Sequence, residues 1–351
     1  MSDSRPERAT TRQAAPGCVI RAPDLLEQVL AAWPAPPARR LAGLLARAAE
    51  HAADDTDDER GLLALLGIDA PGDGSPPLAA ATAAYDLGTV PEAGGLVRAD
   101  PVHLRADATR VLLFDAATIG LADAEADELM ALLNDTFGAD GMHFHRGRGA
   151  ARWYLTLPGA PPAGGASPTR LAGQPLEPGV AERRGLGELR RFVTEVQMLL
   201  HDCPLNEART AAGRAPINGV WLWGAGSLPA PAAPPALAWG DDALLAACAA
   251  HAGVRHTSDV GSFVAALDEP PGPLVACWPR EHRGATCAEA LQSVIEPAVA
   301  ALAAGRLARL ELRTSHARFL LTGAARWRLW RRPGAFVARQ RAAAREREAL
   351  A

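Results

Sequence analysis

The sequence contains no lysine, because all 36 basic residues of the 351-residue chain are arginine. This absence excludes chemistry that requires a lysine amine, including Schiff-base catalysis, the lysine of a phosphate-binding P-loop and the strand lysine of protein kinases. Alanine, glycine and proline are abundant at the same time, a composition typical of a GC-rich genome. The missing lysine therefore needs no functional explanation.

Cysteine is scarce and scattered, with five residues and no Cys-x-x-Cys pair. An odd, dispersed set supports neither a disulfide framework nor a zinc ribbon. His143 and His145 alternate on a predicted strand without a third ligand nearby, and Cys277, His282 and Cys287 stand at spacings that zinc sites do not use. We therefore predict no metal site and no cofactor.

Long apolar runs are also absent. No stretch approaches the roughly 20 residues that span a bilayer, and residues 1–17 are polar where a signal peptide needs an apolar segment. We therefore expect a cytoplasmic protein without a membrane span. The net charge of −4 argues against a dedicated nucleic-acid binder.

Hydrophobic periodicity predicts an α/β or α+β fold with a mixed sheet, flanking helices and two lobes. Residues 1–96 carry helical patterns and are predicted to form a helical N-terminal region. Residues 97–227 mix strands and helices in a second region. A proline-rich joint at 228–235 separates it from a C-terminal α/β lobe at 236–351, which ends in a basic helical tail.

The middle region carries the clearest element patterns. Alternating or short apolar runs predict strands, and apolar residues three and four apart predict amphipathic helices. The predicted strands are 102–107, 111–114, 142–146, 152–158 and 217–226, and the predicted helices are 121–137, 187–202 and 206–213.

The most specific motif is NEARTAAGRAPINGVWLWGAG at 206–226. It resembles a stretch of cofactor-independent phosphoglycerate mutases of the archaeal type, and RADPVHLRAD at 98–107 resembles an earlier strand of the same inserted domain. The resemblance covers about 98–227. The positions that match the motif are Asn206, Arg209, Gly213, Asn218, Trp221, Trp223, Gly224 and Gly226.

In that family the inserted domain closes over phosphoglycerate, and a separate core holds two metals and the nucleophile. The resemblance implies that such a core begins with Asp-Gly at the end of a buried strand. Here Asp73-Gly74 lies in a loop, Asp140-Gly141 lies in a turn, and no Gly-Asp-His or His-Thr-Pro follows residue 227. We therefore expect no catalytic residues.

A second resemblance covers nearly the whole chain. RADPVHLRAD, the WYL strand, QMLLHDCPLNEAR, the WLWG strand and a closing W-x-x-WRR are similar to those of the RpfE-type bacterial family. That family is found with genes for pathogenicity-factor regulation in plant-associated bacteria. The resemblance implies a regulatory protein and specifies no chemistry.

Seven residues of the motif are candidate ligand-binding residues, each with a structural alternative. The tryptophans suit either a pocket wall or core packing against the helix at 187–202. The side-chain amide of Asn206 suits either ligand binding or a helix cap. The guanidinium of Arg209 suits either an anionic ligand or a neighbouring acidic side chain. The set is Asn206, Arg209, Asn218, Trp221, Trp223, Gly224 and Gly226.

The C-terminal tail is the candidate partner surface. Ten arginines from Arg313 to Arg347 stand against only Glu346 and Glu348. Such a segment suits an acidic partner, a nucleic-acid backbone or a membrane surface, and equally a helix packed on the body with a solvated basic face. The candidate residues are Arg326, Trp327, Arg328, Trp330, Arg331 and Arg332.

Three functions remain open on these grounds. The first is a non-catalytic regulatory or binding protein that retains a phosphoglycerate-mutase-like cap, with a protein partner or a small phosphorylated ligand. The second is a phosphomutase-like enzyme or a binder of a phosphorylated metabolite. The third is a nucleic-acid-associated factor that uses the basic tail, which the acidic net charge disfavours.

Overall fold

The computed structural model describes most of the chain and divides it into two compact units. The described residues are 15–53, 58–70, 76–91, 94–107, 110–161, 165–173, 175–176, 189–278, 287–328 and 330–350. The first unit takes Met1–Asp55, Pro234–Ala249 and Val254–Ala351, and the second takes Thr56–Ala233 and Ala250–Gly253. The sequence predicted three consecutive regions, whereas the first unit combines the two ends of the chain.

A seven-stranded mixed sheet forms the centre of the first unit, with the order β10-β9-β11-β1-β12-β13-β2. Strands β1, β9, β10, β11 and β12 run parallel to one another. At one edge, β13 pairs antiparallel with β12, and β2 pairs antiparallel with β13. The strands are β1 Gly17–Arg21, β2 Ala49–Ala52, β9 Leu237–Trp239, β10 Arg255–Thr257, β11 Leu274–Cys277, β12 Arg309–Arg313 and β13 Ala317–Thr322.

Helices cover this sheet and bury a continuous apolar core against it. The core takes the alternate residues of the strands, such as Ile20 of β1 and Leu310 of β12, because successive side chains of a strand point to opposite faces. The helices are α1 Leu25–Ala32, α2 Pro36–Arg47, α10 Ala243–His251, α11 Val260–Asp268, α12 Cys287–Ala290, α13 Glu296–Ala303 and α14 Pro333–Leu350, with a π-helical stretch at Leu291–Ile295 and a 3₁₀ turn at Gly323–Trp327.

The N-terminal region contains the predicted helices and also two strands that the sequence did not predict. β1 is five residues long and immediately precedes α1, so its short apolar run was not separable from the helical pattern. β2 is a mostly exposed edge strand without an apolar face. The region therefore completes the seven-stranded sheet.

An antiparallel sheet forms the centre of the second unit. Its long strand β3 pairs in turn with three partners along its length, and the order is β5-β6-β3-β4-β7 with β8 also on β3. The strands are β3 Gly95–Asp107, β4 Arg110–Asp115, β5 His143–Arg146, β6 Trp153–Leu157, β7 Pro175–Leu176 and β8 Gly219–Trp223.

The two faces of this sheet differ in chemistry. One face is apolar and packs against α6 and α8 through a cluster that includes Val97, Leu155, Val220 and Phe192. The other face carries polar and aromatic side chains. The helices of this unit are α3 Asp58–Leu65, α4 Ala79–Leu87, α5 Ala116–Ile119, α6 Asp123–Phe137, α7 Pro168–Leu171, α8 Leu189–His201 and α9 Pro204–Ala211, with a 3₁₀ turn at Gly138–Asp140.

The α/β class predicted from the sequence is confirmed by these two sheets and their helices. Within the described part of the chain, no helix combines the length and apolarity needed to cross a bilayer.

Candidate functional site

A buried ion pair lies on the polar face of the antiparallel sheet. Arg98 and Asp100 stand two residues apart on β3, so their side chains share one face. The Arg98 guanidinium donates to both carboxylate oxygens of Asp100, at 2.7 and 2.9 Å from Nη2 and 3.1 Å from Nε. Each residue is only 5% exposed. Such a pair is stable only when neighbouring groups complete its hydrogen bonding.

Neighbouring strands supply those groups. The Trp223 indole donates to Asp100 Oδ2 at 2.8 Å, and the Trp153 amide donates to Asp100 Oδ1 at 3.1 Å. Tyr154 and Trp223 are the cross-strand neighbours of Arg98 on its two sides, and the guanidinium carbon lies 5.1 Å from each ring centroid. Two aromatic rings thus flank the Arg98 guanidinium, and the Asp100 carboxylate accepts hydrogen bonds from two further internal donors.

Helix α4 extends this polar network. The Tyr154 hydroxyl donates to Asp86 Oδ2 at 2.7 Å, and Arg152 donates to Asp86 Oδ1 at 2.8 Å. Burial is the main reason that the pKa of Tyr154 is raised above its ordinary value. The tyrosine therefore acts as a neutral hydrogen-bond donor that joins the sheet to α4.

The two tryptophans of β8 belong to this polar face. Val220 and Leu222 point to the opposite face and pack in the cluster with α8. The predicted packing of the tryptophans against the helix at 187–202 is therefore wrong, because strand alternation places them on the other side of the sheet. Trp223 is buried over Arg98, whereas Trp221 is half-buried and donates its indole N–H to the Ala166 carbonyl at 2.8 Å.

Gly224 and Gly226 adjoin the start of α4. The Gly224 carbonyl accepts from the Ala79 amide at 2.7 Å, which satisfies one of the first amides of the helix. At Gly226, where φ is 108°, an added Cβ would lie 2.9 Å from Pro77 Cβ. Both glycines therefore lie against the segment that leads into α4, and Gly224 also lies beside Arg98.

Asn206 joins three elements of the second unit. Its amide donates to the carbonyls of Leu200 at 2.6 Å and Ile217 at 2.7 Å, and its oxygen accepts from the Ile217 amide at 2.7 Å. The alternative that it caps a helix is wrong, because Cys203 is the residue that precedes α9. Buried at 4% exposure, Asn206 fixes the end of α8 and the start of α9 to the segment before β8.

The side chain of Asn218 continues the hydrogen bonding between β3 and β8 beyond the start of β8. Its amide donates to the Leu104 carbonyl at 2.8 Å, and its oxygen accepts from the Leu104 amide at 2.7 Å. The side chain thereby replaces a pair of backbone hydrogen bonds.

Arg209 is buried in an internal network and binds an acid of α6. It donates to Glu125 Oε2 at 2.6 Å, and also to the carbonyls of Ala215 and Ile119 at 2.8 Å each. Arg214 adds a second guanidinium, 2.7 Å from Glu125 Oε1. Two partners were considered for Arg209, an anionic ligand and a neighbouring acid, and the structure shows a contact with the acid, Glu125. A ligand-binding role for the seven motif residues stays a prediction.

Glu125 is the acceptor at the centre of this network. Burial alone would raise the pKa of Glu125, but hydrogen bonds from the Ala122 amide, Arg214 and Arg209 outweigh burial and lower the pKa below its ordinary value of 4.5. The ionised carboxylate therefore stabilises the folded state at neutral pH.

Replacing Glu125 by Gln should lower the melting temperature at neutral pH, because Arg209 then loses its counter-charge. A lowered folded-state pKa means that this stabilisation is complete above the ordinary pKa of 4.5 and is lost as the pH falls through the lower folded value. Melting curves of both proteins should therefore converge in acid. The exposed Glu128→Gln on the same helix is the control, and equal melting temperatures at neutral pH for Glu125→Gln and the parent would contradict the expectation.

A second candidate location is the carboxyl end of the parallel strands in the first unit. The chain passes from β11 on one side of β1 to β12 on its other side, and open α/β sheets bind ligands beside such a crossing. Arg21 and Arg313 are the last residues of β1 and β12 and are direct partners in the register. Both are half-buried, and Arg313 donates Nε to Glu311 at 2.7 Å. Two arginines thus occupy paired backbone positions at this edge, and Glu311 neutralises one of them.

Among the described residues at this edge, neither an ionised thiol nor a metal-ligand cluster is found. Burial is the main cause that raises the pKa of the Cys277 thiol to about 12, so it carries no thiolate at neutral pH. A two-metal centre needs several converging carboxylates or imidazoles, and no three His, Cys, Asp or Glu side chains converge among the described residues.

The C-terminal tail is packed on the first unit. Arg328 donates to the Arg47 carbonyl at 3.1 Å and Arg331 to the Ala48 carbonyl at 2.7 Å, so both guanidiniums bind carbonyls at the end of α2. Phe336 and Val337 of α14 are buried in the core. Trp330 is 72% exposed, and Arg332 is exposed as well.

Several predicted residues lie outside what the structure describes. Asp73, Gly74 and His282 belong to segments that are not described, and the side chains of Arg326 and Trp327 are not described either. Sequence reasoning missed Arg98 and Asp100 as a pair. The signal was present, since charged residues alternate there with the apolar Val97 and Ala99.

Comparison with known proteins finds similarities in sequence and in structure. The chain is 26% identical over 156 residues to the probable 2,3-bisphosphoglycerate-independent phosphoglycerate mutase of Geobacter sulfurreducens. That match covers 44% of this chain and spans only 38% of the length of the relative. No protein-family model matches the chain.

The structural similarities extend further along the chain. Cofactor-independent phosphoglycerate mutase from Thermoplasma acidophilum is 16% identical with a TM-score of 0.39, covering 88% of this chain and 90% of the other. The PH0037 protein of Pyrococcus horikoshii is 15% identical with a TM-score of 0.47, covering 88% of each chain. The resemblance to the RpfE-type family stays a prediction. In sequence, the chain is distantly similar to a phosphoglycerate mutase that requires no bisphosphoglycerate cofactor.

Proposed function

We propose that this protein is a non-catalytic regulatory or binding protein on a phosphoglycerate-mutase-like scaffold, and that it binds a small phosphorylated ligand. The observation that carries the proposal is the pair Arg21 and Arg313, aligned in neighbouring parallel strands at the carboxyl edge of the sheet. Neighbouring strands lie about 4.8 Å apart, so a single anion at this edge can be reached from both strands.

Arginine suits a phosphate ligand at this position. A guanidinium presents a planar fork of donors that matches two phosphate oxygens, and two forks on adjacent strands can hold one group from both sides. Half-burial at the strand ends limits screening by water. Similarity to a phosphoglycerate mutase makes 3-phosphoglycerate the first ligand to test.

The groups around this edge support binding without turnover. Phosphoryl transfer needs a nucleophile and cations that neutralise the moving charge. The Cys277 thiol beside the arginines is held protonated by burial. In the second unit, Arg98, Arg209 and Asn206 are each engaged by internal partners.

Calorimetric titration with 3-phosphoglycerate tests the proposal. The double variant Arg21→Gln/Arg313→Gln should bind at least about tenfold more weakly than the parent, because each lost charged hydrogen bond is worth more than about 1.4 kcal/mol. The exposed Arg309→Gln, at the opposite end of β12, removes one positive charge away from the site and should bind like the parent. Equal affinity of the parent and the double variant, or no heat with the parent, would refute the proposal.

A further inference from the structure

An open groove of about 530 Å³ lies on the first unit between α2 and the start of α14. It is lined by Arg39, Arg40 and Arg47 of α2, by Gly43 and Leu44 of the same helix, and by Pro333 at the start of α14. Leu44 packs partly on the core, whereas Arg39 and Arg40 are exposed. The groove therefore combines an aliphatic lining with cationic side chains.

The helix period explains how α2 lines the groove. Arg39, Gly43 and Arg47 stand four residues apart and so lie along one side of the helix, over a length of about 12 Å. Gly43 leaves a gap between the two arginines, and a Cβ there would lie 3.5 Å from the Pro333 ring. The concavity at this point therefore depends on the absence of a side chain.

The charges of the groove are only partly balanced by the protein itself. Arg40 forms an exposed ion pair of 3.3 Å with Glu296. Within the described residues, neither Arg39 nor Arg47 has an acidic side chain as a partner. Arg39 also lies in the first turn of α2, which contains no acid, and a cation is unfavourable at a helix N-terminus. Arg39 thus weakens α2 locally, and an external anion would offset that effect.

The C-terminal tail adds an exposed tryptophan to the same unit. Arg328 and Arg331 donate to the carbonyls of Arg47 and Ala48 at the end of α2. Trp330, next to Arg331 in the sequence, is 72% exposed. Tryptophan and arginine are the residues most enriched at the energetic centres of protein interfaces.

We propose that this groove binds an acidic, amphipathic peptide segment of a partner protein. Carboxylates of the segment pair with Arg39 and Arg47, and its apolar side chains cover Leu44 and the proline at the start of α14. The lining favours a peptide over a nucleic acid, because single-stranded nucleic acid stacks its bases on aromatic rings. The apolar residues that line the groove are leucine and proline. Recognition of acidic motifs by arginine clusters is an established binding mode.

Fluorescence polarisation with short labelled probes tests the choice of ligand. The main probe is a synthetic helical peptide with glutamates on one face and leucines on the other. The control peptides are a scramble of the same composition and a version with Gln in place of Glu. A uridine oligonucleotide of similar length represents nucleic acid. We expect the amphipathic peptide to bind at least about tenfold more tightly than any of the other three, a difference of about 1.4 kcal/mol.

Three variants of the full chain locate the binding. Gly43→Gln fills the groove while improving helix propensity, so it should abolish peptide binding without lowering the melting temperature. Arg39→Gln/Arg47→Gln should weaken binding at least about tenfold and reduce its salt dependence. The exposed Arg255→Gln on β10 removes one positive charge outside the groove and should bind like the parent.

Each remaining outcome overturns the proposal. Absence of peptide binding by the parent, or parental affinity in a folded Gly43→Gln, would show that the groove is not the site. Equal binding of the scrambled peptide would reduce the interaction to charge alone. Tighter, groove-dependent binding of the oligonucleotide would assign the surface to nucleic acid instead.

Discussion

Asp100→Asn is expected to lower the free energy of unfolding of the second unit by about 3–5 kcal/mol. The substitution keeps the shape of the side chain but removes the charge that balances Arg98, and the guanidinium is then left as an uncompensated charge at 5% exposure. The Asp100 carboxylate also accepts from Trp153 and Trp223. No exposed substitution on this protein should have a comparable effect.

Hydrogen exchange of the β3 amides measures this loss in the second unit by itself, since two compact units need not unfold together. Two controls separate the buried pair from charge in general. Glu195→Gln breaks the exposed Arg191–Glu195 pair and should cost less than about 0.5 kcal/mol. Arg98→Met/Asp100→Leu should recover only part of the loss, because it removes both charges but leaves the Trp153 amide and the Trp223 indole without an acceptor. A loss below about 1 kcal/mol for Asp100→Asn would contradict the role assigned to the pair.

Trp223→Ala is expected to cost about 3–5 kcal/mol, the range for a large aromatic side chain removed from a core. Trp223 covers one face of Arg98 and donates its indole N–H to Asp100, so its removal also exposes the ion pair. The half-buried Trp221→Ala should cost clearly less. Thermal or denaturant unfolding of the two variants tests the order, and a larger effect at Trp221 would contradict it.

Trp223→Phe separates the two contributions of the tryptophan. Phenylalanine keeps a ring over Arg98 but cannot donate to Asp100, so it should recover only part of the loss. Combining Trp223→Ala with Asp100→Asn should give less than the sum of the two single effects, because the residues share one hydrogen bond. Strict additivity would show that the two side chains act independently.

Much of the antiparallel sheet could be predicted from the sequence. The alternation at 102–107 and 152–158 and the apolar run at 111–114 correspond to β3, β6 and β4. The amphipathic pattern at 187–202 corresponds to α8. Helix α8 buries one face, so a periodic pattern is physically required of it.

The N-terminal strands could not be predicted for an equally physical reason. β1 is paired on both sides in a central position, and its alternating half-buried residues make a pattern only five residues long. Its place in the sheet depends on partners almost 300 positions away, such as Leu310 opposite Cys18. Pairing at that separation leaves no trace in a local window.

The sequence drew attention to the motif residues but left their roles open. Asn206, Arg209 and Asn218 have the polar groups that a ligand site needs, and the same groups suit a buried internal network. The structure shows the network contacts. The arginines at the strand ends gave no local signal, because Arg21 and Arg313 become neighbours only through the parallel pairing of β1 and β12.

The central claim is that the protein binds a phosphorylated ligand without converting it. Phosphorus NMR of 3-phosphoglycerate, mixed with the purified protein in a buffer that contains magnesium and no manganese, tests this claim in one measurement. Binding without catalysis predicts that the phosphate resonance shifts or broadens with added protein, while no 2-phosphoglycerate resonance appears over time. The change should be lost with Arg21→Gln/Arg313→Gln and kept with Arg309→Gln. Conversion to 2-phosphoglycerate would contradict the claim by showing a mutase, and an unperturbed resonance would contradict it by showing that the ligand does not bind.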